Sequence, residues 1–363
     1  MRIALAGGGT GGHVYPAIAV AEQLRALGGV ELTYYGTPHG AEHDIARREG
    51  IPFRAVPASQ VRVRQPVALA KGLWRLWRGT RTARQLLEAD RPGAVFATGG
   101  YAAAPVGRAA RQAGIPLVVF LPDATPGWAV KFLARYATTV ACAVDAAVSQ
   151  FPAGQAVVTG YPLRTQFTEA TREEGLRRFD LDPALPTILV AGGSLGAQAI
   201  NTAVLATLPD WLRDAQVVHV SGRGDLDRMS AAASALPDDL RGRYHLHGYT
   251  EEMAYAMAAA DIAVMRAGAS TIGELAVSGL PVVAIPGAFS DQAANADYLA
   301  QRGAAIHLPQ DRIDELGPLV RALFEDDDRR EVMSERMRAL GRPDAARRLA
   351  ELVLDLAGRR AAA

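Results

Sequence analysis

The sequence predicts an α/β protein built from two tandem Rossmann-like domains facing across a cleft. Three observations predict it. Short apolar, β-branched runs alternate with helical stretches along the chain, the pattern of a parallel, doubly wound sheet. A strand, glycine turn and helix open the sequence in RIALAGGGTGGHVYPAIAV, and the same series restarts at TILVAGGSLGAQAINTAVL. The 363 residues, 49% hydrophobic, are long for one domain and sufficient for two cores.

In order, RIALAGGG reads as a buried strand ending in a glycine turn, and Tyr15–Leu27 as a helix with an apolar stripe and Pro16 near its start. VELTYYG, AVFATGG, PLVVFLP and TTVACAV follow as strands. The join lies near TGYPLRTQF, where Pro162 and the polar residues after it suit a hinge. The expected domains are 1–163, 164–340 and a terminal segment, 341–363, whose helix returns to the first domain. QVVHVSG, YHLHGY, DIAVMRAG and PVVAIPG are the strands of the second half. Open α/β sheets bind ligands beyond the carboxyl ends of their strands, so both glycine turns are expected at one cleft.

Composition narrows the function classes. A formal net charge of +1 gives no global field for nucleic acid, and one cysteine, Cys142, excludes an internal disulfide framework or a Cys-cluster metal site. No apolar run reaches the ~18 residues of a transmembrane candidate, and MRIALAGGG is too short and glycine-rich for a signal peptide.

GGGTGGH satisfies G-x-G-x-x-G, yet the dinucleotide reading needs an acid at the end of the second strand. That strand ends Tyr34-Tyr35-Gly36. The loop is better read as a cradle of N–H groups for another phosphate. His13, at a helix N-terminus that disfavours a cation, is the candidate general base. GGSLG matches G-x-S-x-G, but His219, His245, His247 and His307 lie within strand patterns and do not complete a hydrolase triad. Ser194 is therefore read as a phosphate-loop hydroxyl.

In RAGASTIGEL, Thr271 and Glu274 fit a capping box, while Glu274 could instead meet sugar hydroxyls. FSDQAANA places Asp291, Gln292 and Asn295 at another strand-to-helix corner, where amides read hydroxyls and an Asp can N-cap. The EDDD run and His245-x-His247 lack the partners of a metal centre, and no bound metal is expected.

VALAKGLWRLWRGTRTARQLL reads as an amphipathic helix. Leu69, Leu73, Leu76, Thr80 and Leu87 share one face; Lys71, Arg75 and Arg78 share the other, with Trp74 among them and Trp77 at the border. From Arg54 to Arg91 there are nine basic residues and two acidic ones. An outward Trp among arginines fits anionic lipid headgroups better than single-stranded nucleic acid.

These stretches, with TGGYAAAPVG, TGYPLR and DQAANA in the same order, resemble the MurG family of GT-B glycosyltransferases over nearly the whole chain. The resemblance implies GlcNAc transfer from UDP-GlcNAc to the 4-hydroxyl of undecaprenyl-diphospho-MurNAc-pentapeptide, at the cytoplasmic face of the bacterial plasma membrane, with no metal or cofactor. Thr10, Gly11 and Gly12 would approach the donor diphosphate and the acceptor, with His13 as base. Arg164, Ser194, Ala269, Ser270, Thr271, Ile272, Gly273 and Glu274 would hold the nucleotide, Thr250 would meet uracil, and Gln292 would read the sugar. Tyr101 would lie on the acceptor side, and Leu73, Trp74, Trp77, Lys71, Arg75 and Arg78 would dock on the membrane.

The chain departs from the family pattern at FLPDATPGW, where His-Glu-Gln-Asn is usual and Asp123 could stand in as the acid, and at Leu195, Ala267 and Ser290. A GT-B enzyme on another lipid acceptor, or a non-catalytic UDP-sugar-binding protein, therefore stays open on sequence alone. So does the oligomeric state.

Overall fold

The computed structural model describes residues 1–9, 11–58, 66–193, 196–287 and 292–362. The chain divides into two compact units, Met1–Arg164 with Pro343–Ala363, and Thr165–Arg342. The boundary thus falls one residue later than the sequence implies, and Arg164 belongs to the first unit.

Unit 1 runs β1 (Arg2–Ala6), α1 (Gly11–Ala26), β2 (Glu31–Gly36), α2 (Ala41–Arg48), β3 (Phe53–Ala55), α3 (Pro66–Asp90), β4 (Ala94–Ala97), α4 (Gly100–Gln112), β5 (Leu117–Leu121), α5 (Trp128–Ala134), β6 (Thr139–Cys142) and β7 (Ala156–Val158). Its seven strands are all parallel, in the order β3-β2-β1-β4-β5-β6-β7. The central strands are apolar on both faces and fully buried, as helices on both sides of a parallel sheet require.

Unit 2 runs α6 (Gln166–Glu169), α7 (Arg172–Arg178), β8 (Thr187–Ala191), α8 (Gln198–Asp214), β9 (Gln216–Val220), α9 (Leu226–Ser234), α10 (Asp238–Arg241), β10 (Tyr244–His247), α11 (Met253–Ala259), β11 (Ile262–Met265), α12 (Ala269–Ser278), β12 (Val282–Ala284), α13 (Gln292–Gln301), β13 (Ala305–His307), α14 (Leu316–Phe324) and α15 (Asp327–Leu340). Its sheet is again parallel, ordered β10-β9-β8-β11-β12-β13. Ile188, Val190, Val204, Leu208, Trp211, Val264 and Leu316 form part of one buried core cluster on this sheet.

The last helix, α16 (Ala345–Ala362), packs on α1 and β4 of unit 1. A Cβ on Gly93 would stand 2.9 Å from the Ala357 methyl, so the glycine permits this close approach. In both sheets the order reverses beside the first strand, between β1 and β4 and between β8 and β11. That switch point is where ligands bind in open α/β sheets.

Three sequence expectations change. α1 begins at Gly11, four residues before the expected Tyr15, so Pro16 lies inside the helix. β3 and β7 are edge strands of three residues each, too short and too exposed to give an apolar signal. The third change concerns α3. Its buried face is Gly72, Gly79, Thr80, Ala83 and Leu87, whereas Leu73 stands 54% exposed. Small residues make the contact: a Cβ on Gly79 would stand 2.1 Å from the Pro57 carbonyl oxygen and 3.1 Å from Pro105 Cβ of α4. The helix is seated at Gly79, and Leu73 is turned to solvent.

Candidate active site

The turns that leave β1 and β4 meet at the switch point of unit 1. Gly100 has φ +72°, and a Cβ there would stand 2.0 Å from the Gly8 carbonyl oxygen. Gly9 has φ +101°, and a Cβ there would stand 3.0 Å from the Tyr101 ring. Only residues without side chains let the two turns close on each other. Tyr101, read from sequence as an acceptor-side residue, therefore lies against the first glycine turn.

His13 sits in the first turn of α1, at the edge of this junction. Its Nδ1 lies 3.1 Å from the Thr98 carbonyl oxygen, and the buried Thr98 hydroxyl donates to the His13 carbonyl. A carbonyl oxygen can only accept, so the neutral ring carries its proton on Nδ1. The Nε2 lone pair is then the proton-accepting site. Val130 of α5 approaches from the other side, with Cγ2 3.6 Å from the position of a Cβ on Gly99.

Pro16 has no N–H, so the Gly12 carbonyl four residues earlier lacks its helical donor. The Tyr161 hydroxyl donates to that oxygen at 3.4 Å, and the Tyr161 ring packs edge-on against Phe120. The segment before the unit boundary thus ties into the first turn of α1. Arg164, expected to hold the nucleotide within the second domain, instead lies in unit 1. Its guanidinium is 5.1 Å from the Tyr15 ring centroid of α1. Asp123 follows β5 at the same sheet edge and is half-buried.

In unit 2, α12 opens directly after β11. Its N-cap is Gly268, with no side-chain cap, so the capping box from Thr271 to Glu274 does not form. The helix starts two residues before Thr271, which places Glu274 in its second turn. Ala269, Ser270, Gly273 and Glu274 are half-buried, while Thr271 and Ile272 are buried. Among the described residues no side chain caps this helix end, and the first N–H groups of a helix can serve another acceptor.

The Gln292 side-chain oxygen accepts from the Gly287 amide at 3.1 Å, and the buried Asn295 donates to the Ala267 carbonyl at 3.0 Å. Arg266 donates to the carbonyls of Ile285 and Pro286 at 3.1 and 2.9 Å, and burial lowers its pKa. Together these bonds fix the ends of β11 and β12. Thr250 follows the edge strand β10, three strands from α12 in the sheet order, and its hydroxyl accepts from the Glu252 amide at 3.0 Å. Thr10, Ser194, Leu195, Ser290 and Asp291 lie outside the described residues, as does the side chain of Lys71.

A buried polar chain runs beneath the second glycine turn. Asn201 of α8 donates to the Ser221 carbonyl at 2.9 Å and to Asp225 at 2.6 Å, which leaves its oxygen to accept from His219 Nε2 at 2.9 Å. The Tyr244 hydroxyl then donates to His219 Nδ1, also at 2.9 Å. Every member is satisfied only with a neutral imidazole, and burial pushes the His219 pKa down to about 4.

On α3, Trp74 and Trp77 are 55% and 53% exposed beside Leu73, and Arg75 and Arg78 are exposed with them. The Arg78 guanidinium stands 5.5 Å from the Trp74 ring centroid. Among the described residues no helix is long and apolar enough to cross a membrane. Sequence reasoning did not single out Glu42, Thr98, Tyr161 or Arg266. Thr98 had a signal in the TGG that closes the fourth strand.

Comparison with known proteins agrees with the two-unit fold. Residues 3–142 match the glycosyltransferase family 28 N-terminal domain, and residues 187–349 match the glycosyltransferase family 28 C-terminal domain. A relative from Roseiflexus sp. (strain RS-1) is 41% identical over 99% of this chain and 96% of its own length. Its name is UDP-N-acetylglucosamine--N-acetylmuramyl-(pentapeptide) pyrophosphoryl-undecaprenol N-acetylglucosamine transferase. A Bacillus subtilis (strain 168) protein of the same name is 36% identical over 98% of this chain and 99% of its own. The crystal structure of Acinetobacter baumannii MurG superposes with a TM-score of 0.77 at 28% identity, covering 98% of this chain and 99% of that one. A fold of two Rossmann-like units, both family 28 domains and full-length likeness place this chain in the MurG family of GT-B glycosyltransferases.

Proposed function

We propose that this enzyme transfers GlcNAc from UDP-GlcNAc to the 4-hydroxyl of undecaprenyl-diphospho-MurNAc-pentapeptide, the step from lipid I to lipid II in peptidoglycan synthesis. The full-length relatives carry the name of that reaction. The observation that carries the mechanism is the His13 ring, whose Nδ1 is held by the Thr98 carbonyl so that Nε2 is the acceptor of a proton.

In the reaction, the acceptor oxygen bonds to the anomeric carbon of GlcNAc as the bond from that carbon to the diphosphate oxygen breaks. UDP leaves with the electron pair, the hydroxyl proton passes to His13 Nε2, and the anomeric configuration inverts. Tyr101 and Asp123 are assigned to the acceptor side. The N-terminus of α12, with Glu274, holds the nucleotide. Gln292 reads the sugar hydroxyls, and Thr250 meets the base. N–H groups at the helix N-termini stabilise the departing diphosphate and take the part a divalent ion plays elsewhere. Leu73, Trp74, Trp77, Arg75 and Arg78 seat the protein peripherally on the anionic cytoplasmic face of the membrane, where the lipid-linked acceptor lies.

The test is product formation from UDP-GlcNAc and a short-chain lipid I analogue in the presence of EDTA, comparing wild type with His13→Ala. Wild type is expected to form product, and the variant to lose about a hundredfold or more in kcat. UDP-GlcNAc binding without product would instead support a different acceptor, and the altered FLPDAT segment would be the place to look.

A further inference from the structure

Behind the first glycine turn lies a carboxylate that solvent does not reach. Glu42, the second residue of α2, is fully buried. Its Oε1 accepts from the Thr37 amide at 2.9 Å and from the Thr37 hydroxyl at 2.6 Å, and its Oε2 accepts from the Gly9 amide at 3.3 Å. Three glycines make its room. A Cβ on Gly8, Gly36 or Gly40 would stand 2.4, 2.5 or 2.2 Å from the Glu42 side chain. Those glycines come from the turn after β1, the last residue of β2 and the residue before α2. Three separate segments have given up side chains to seat one anion.

Its charge works against the turn's own ligand, because a negative group behind an anion cradle opposes the diphosphate in front of it. Glu42 is therefore not there for affinity. What it supplies is geometry. It draws the Gly9 amide inward at the residue with φ +101°, two positions before α1 opens, while the Tyr101 ring lies against the same residue. It also ties the turn to the end of β2 through Thr37.

We propose that Glu42 is a positioning residue for glycosyl transfer: it clamps the first glycine turn from behind, so that the opening of α1 and His13 keep the alignment the reaction needs. This rests on the reading of that turn as the diphosphate cradle.

Two variants test it, each assayed for transfer from UDP-GlcNAc to a short-chain lipid I analogue and normalised to folded protein by thermal unfolding. Glu42→Gln keeps the shape but presents an NH2 group to one of the donors now satisfied, and it removes the opposing charge. Its kcat is expected to fall about tenfold or more, in line with small misplacements of reacting groups, while KM for UDP-GlcNAc stays the same or decreases. Gly40→Ala lies outside the turn, at φ −85° and ψ 160° that any residue adopts, and the three atoms nearest its new methyl are those of the carboxylate. It is expected to lower kcat in the same sense.

A purely structural role would lower the melting temperature and leave kcat per folded molecule at the wild-type value in both variants, and that result overturns the proposal. If Glu42→Gln does not fold, Gly40→Ala alone decides. A wild type that binds UDP-GlcNAc but transfers nothing would remove the underlying functional reading, a different result from a working wild type matched by its variants.

Discussion

His13 and Thr98 hold each other by two hydrogen bonds: the imidazole Nδ1 meets the Thr98 carbonyl oxygen at 3.1 Å, and the Thr98 hydroxyl meets the His13 carbonyl. The clasp joins the turn after β4 to the first turn of α1. Thr98→Ala removes the hydroxyl that donates to the His13 carbonyl, at a cost of about 0.5–1.5 kcal/mol. Lower unfolding stability and a reduced kcat are expected together, and Thr98→Ser should restore both. Urea unfolding and the transfer assay on the three proteins check this; a serine variant no better than alanine would show that the hydroxyl is not what matters.

Gly100→Ala is expected to be far more damaging than Gly114→Ala, although both lie at ends of α4 with positive φ. Gly114 has open space around it, so alanine there costs about 1–2 kcal/mol in backbone conformation alone. At Gly100 the methyl also collides with the Gly8 backbone, and neither turn can yield without the other. Comparing the melting temperatures and transfer rates of the two variants separates backbone strain from collision.

Acid should weaken unit 2 before the carboxylates titrate. The folded state holds His219 neutral with its pKa near 4, against 6.5 for the ordinary side chain. The unfolded chain therefore binds the extra proton as pH falls below 6.5, and stability is lost progressively down to about 4. The full effect is about 3 kcal/mol, at roughly 1.4 kcal/mol per pH unit. Trp211 lies in the unit 2 core, whereas Trp74, Trp77 and Trp128 are exposed, so buried-tryptophan fluorescence follows that unit. Its unfolding midpoint in urea should fall between pH 7 and pH 4.5, and His219→Gln should flatten that dependence.

Replacing Leu73 and Trp74 by alanine should lower partitioning onto vesicles containing anionic lipid by about tenfold or more, given about 1.5–3 kcal/mol for burying one large apolar side chain. The ratio of transfer to a vesicle-borne acceptor over transfer to a short-chain one should fall with it. Sedimentation with vesicles at low and high salt would add the share owed to Arg75 and Arg78. Equal partitioning by wild type and variant would place the membrane contact on another face.

The central strands and the two glycine turns were readable because long apolar, β-branched runs between glycines have few other solutions. The edge strands were not, since three residues half open to water carry no period. α3 shows a subtler failure. A search for a stripe of large apolar residues put Leu73 on one face with Leu76, Thr80 and Leu87, while the close contact is made at Gly79, where the Pro57 carbonyl approaches. Glu42 was hidden for a related reason. An acid in the first turn of a helix ordinarily favours the dipole from a solvated position. Here its burial depends on Gly8, Gly36 and Gly40, which nothing local to Glu42 reveals. The missing cap at Gly268 is the reverse case, a helix start whose nearby Ser270, Thr271 and Glu274 gave a convincing but unused capping pattern.

α4 touches two things at once. Its first residue is wedged against Gly8 of the first glycine turn, and one and a half turns later Pro105 bears on Gly79 of α3, the helix that exposes Leu73, Trp74 and Trp77. Helix rise over those five residues is about 7–8 Å. On the proposed reading, α4 is a spacer of fixed height between bilayer and reacting hydroxyl. An acceptor whose sugar stands at a set distance from its lipid anchor would then be measured by the enzyme as well as bound, and altering the seat at Gly79 would change which anchor lengths are used without touching any group that contacts sugar.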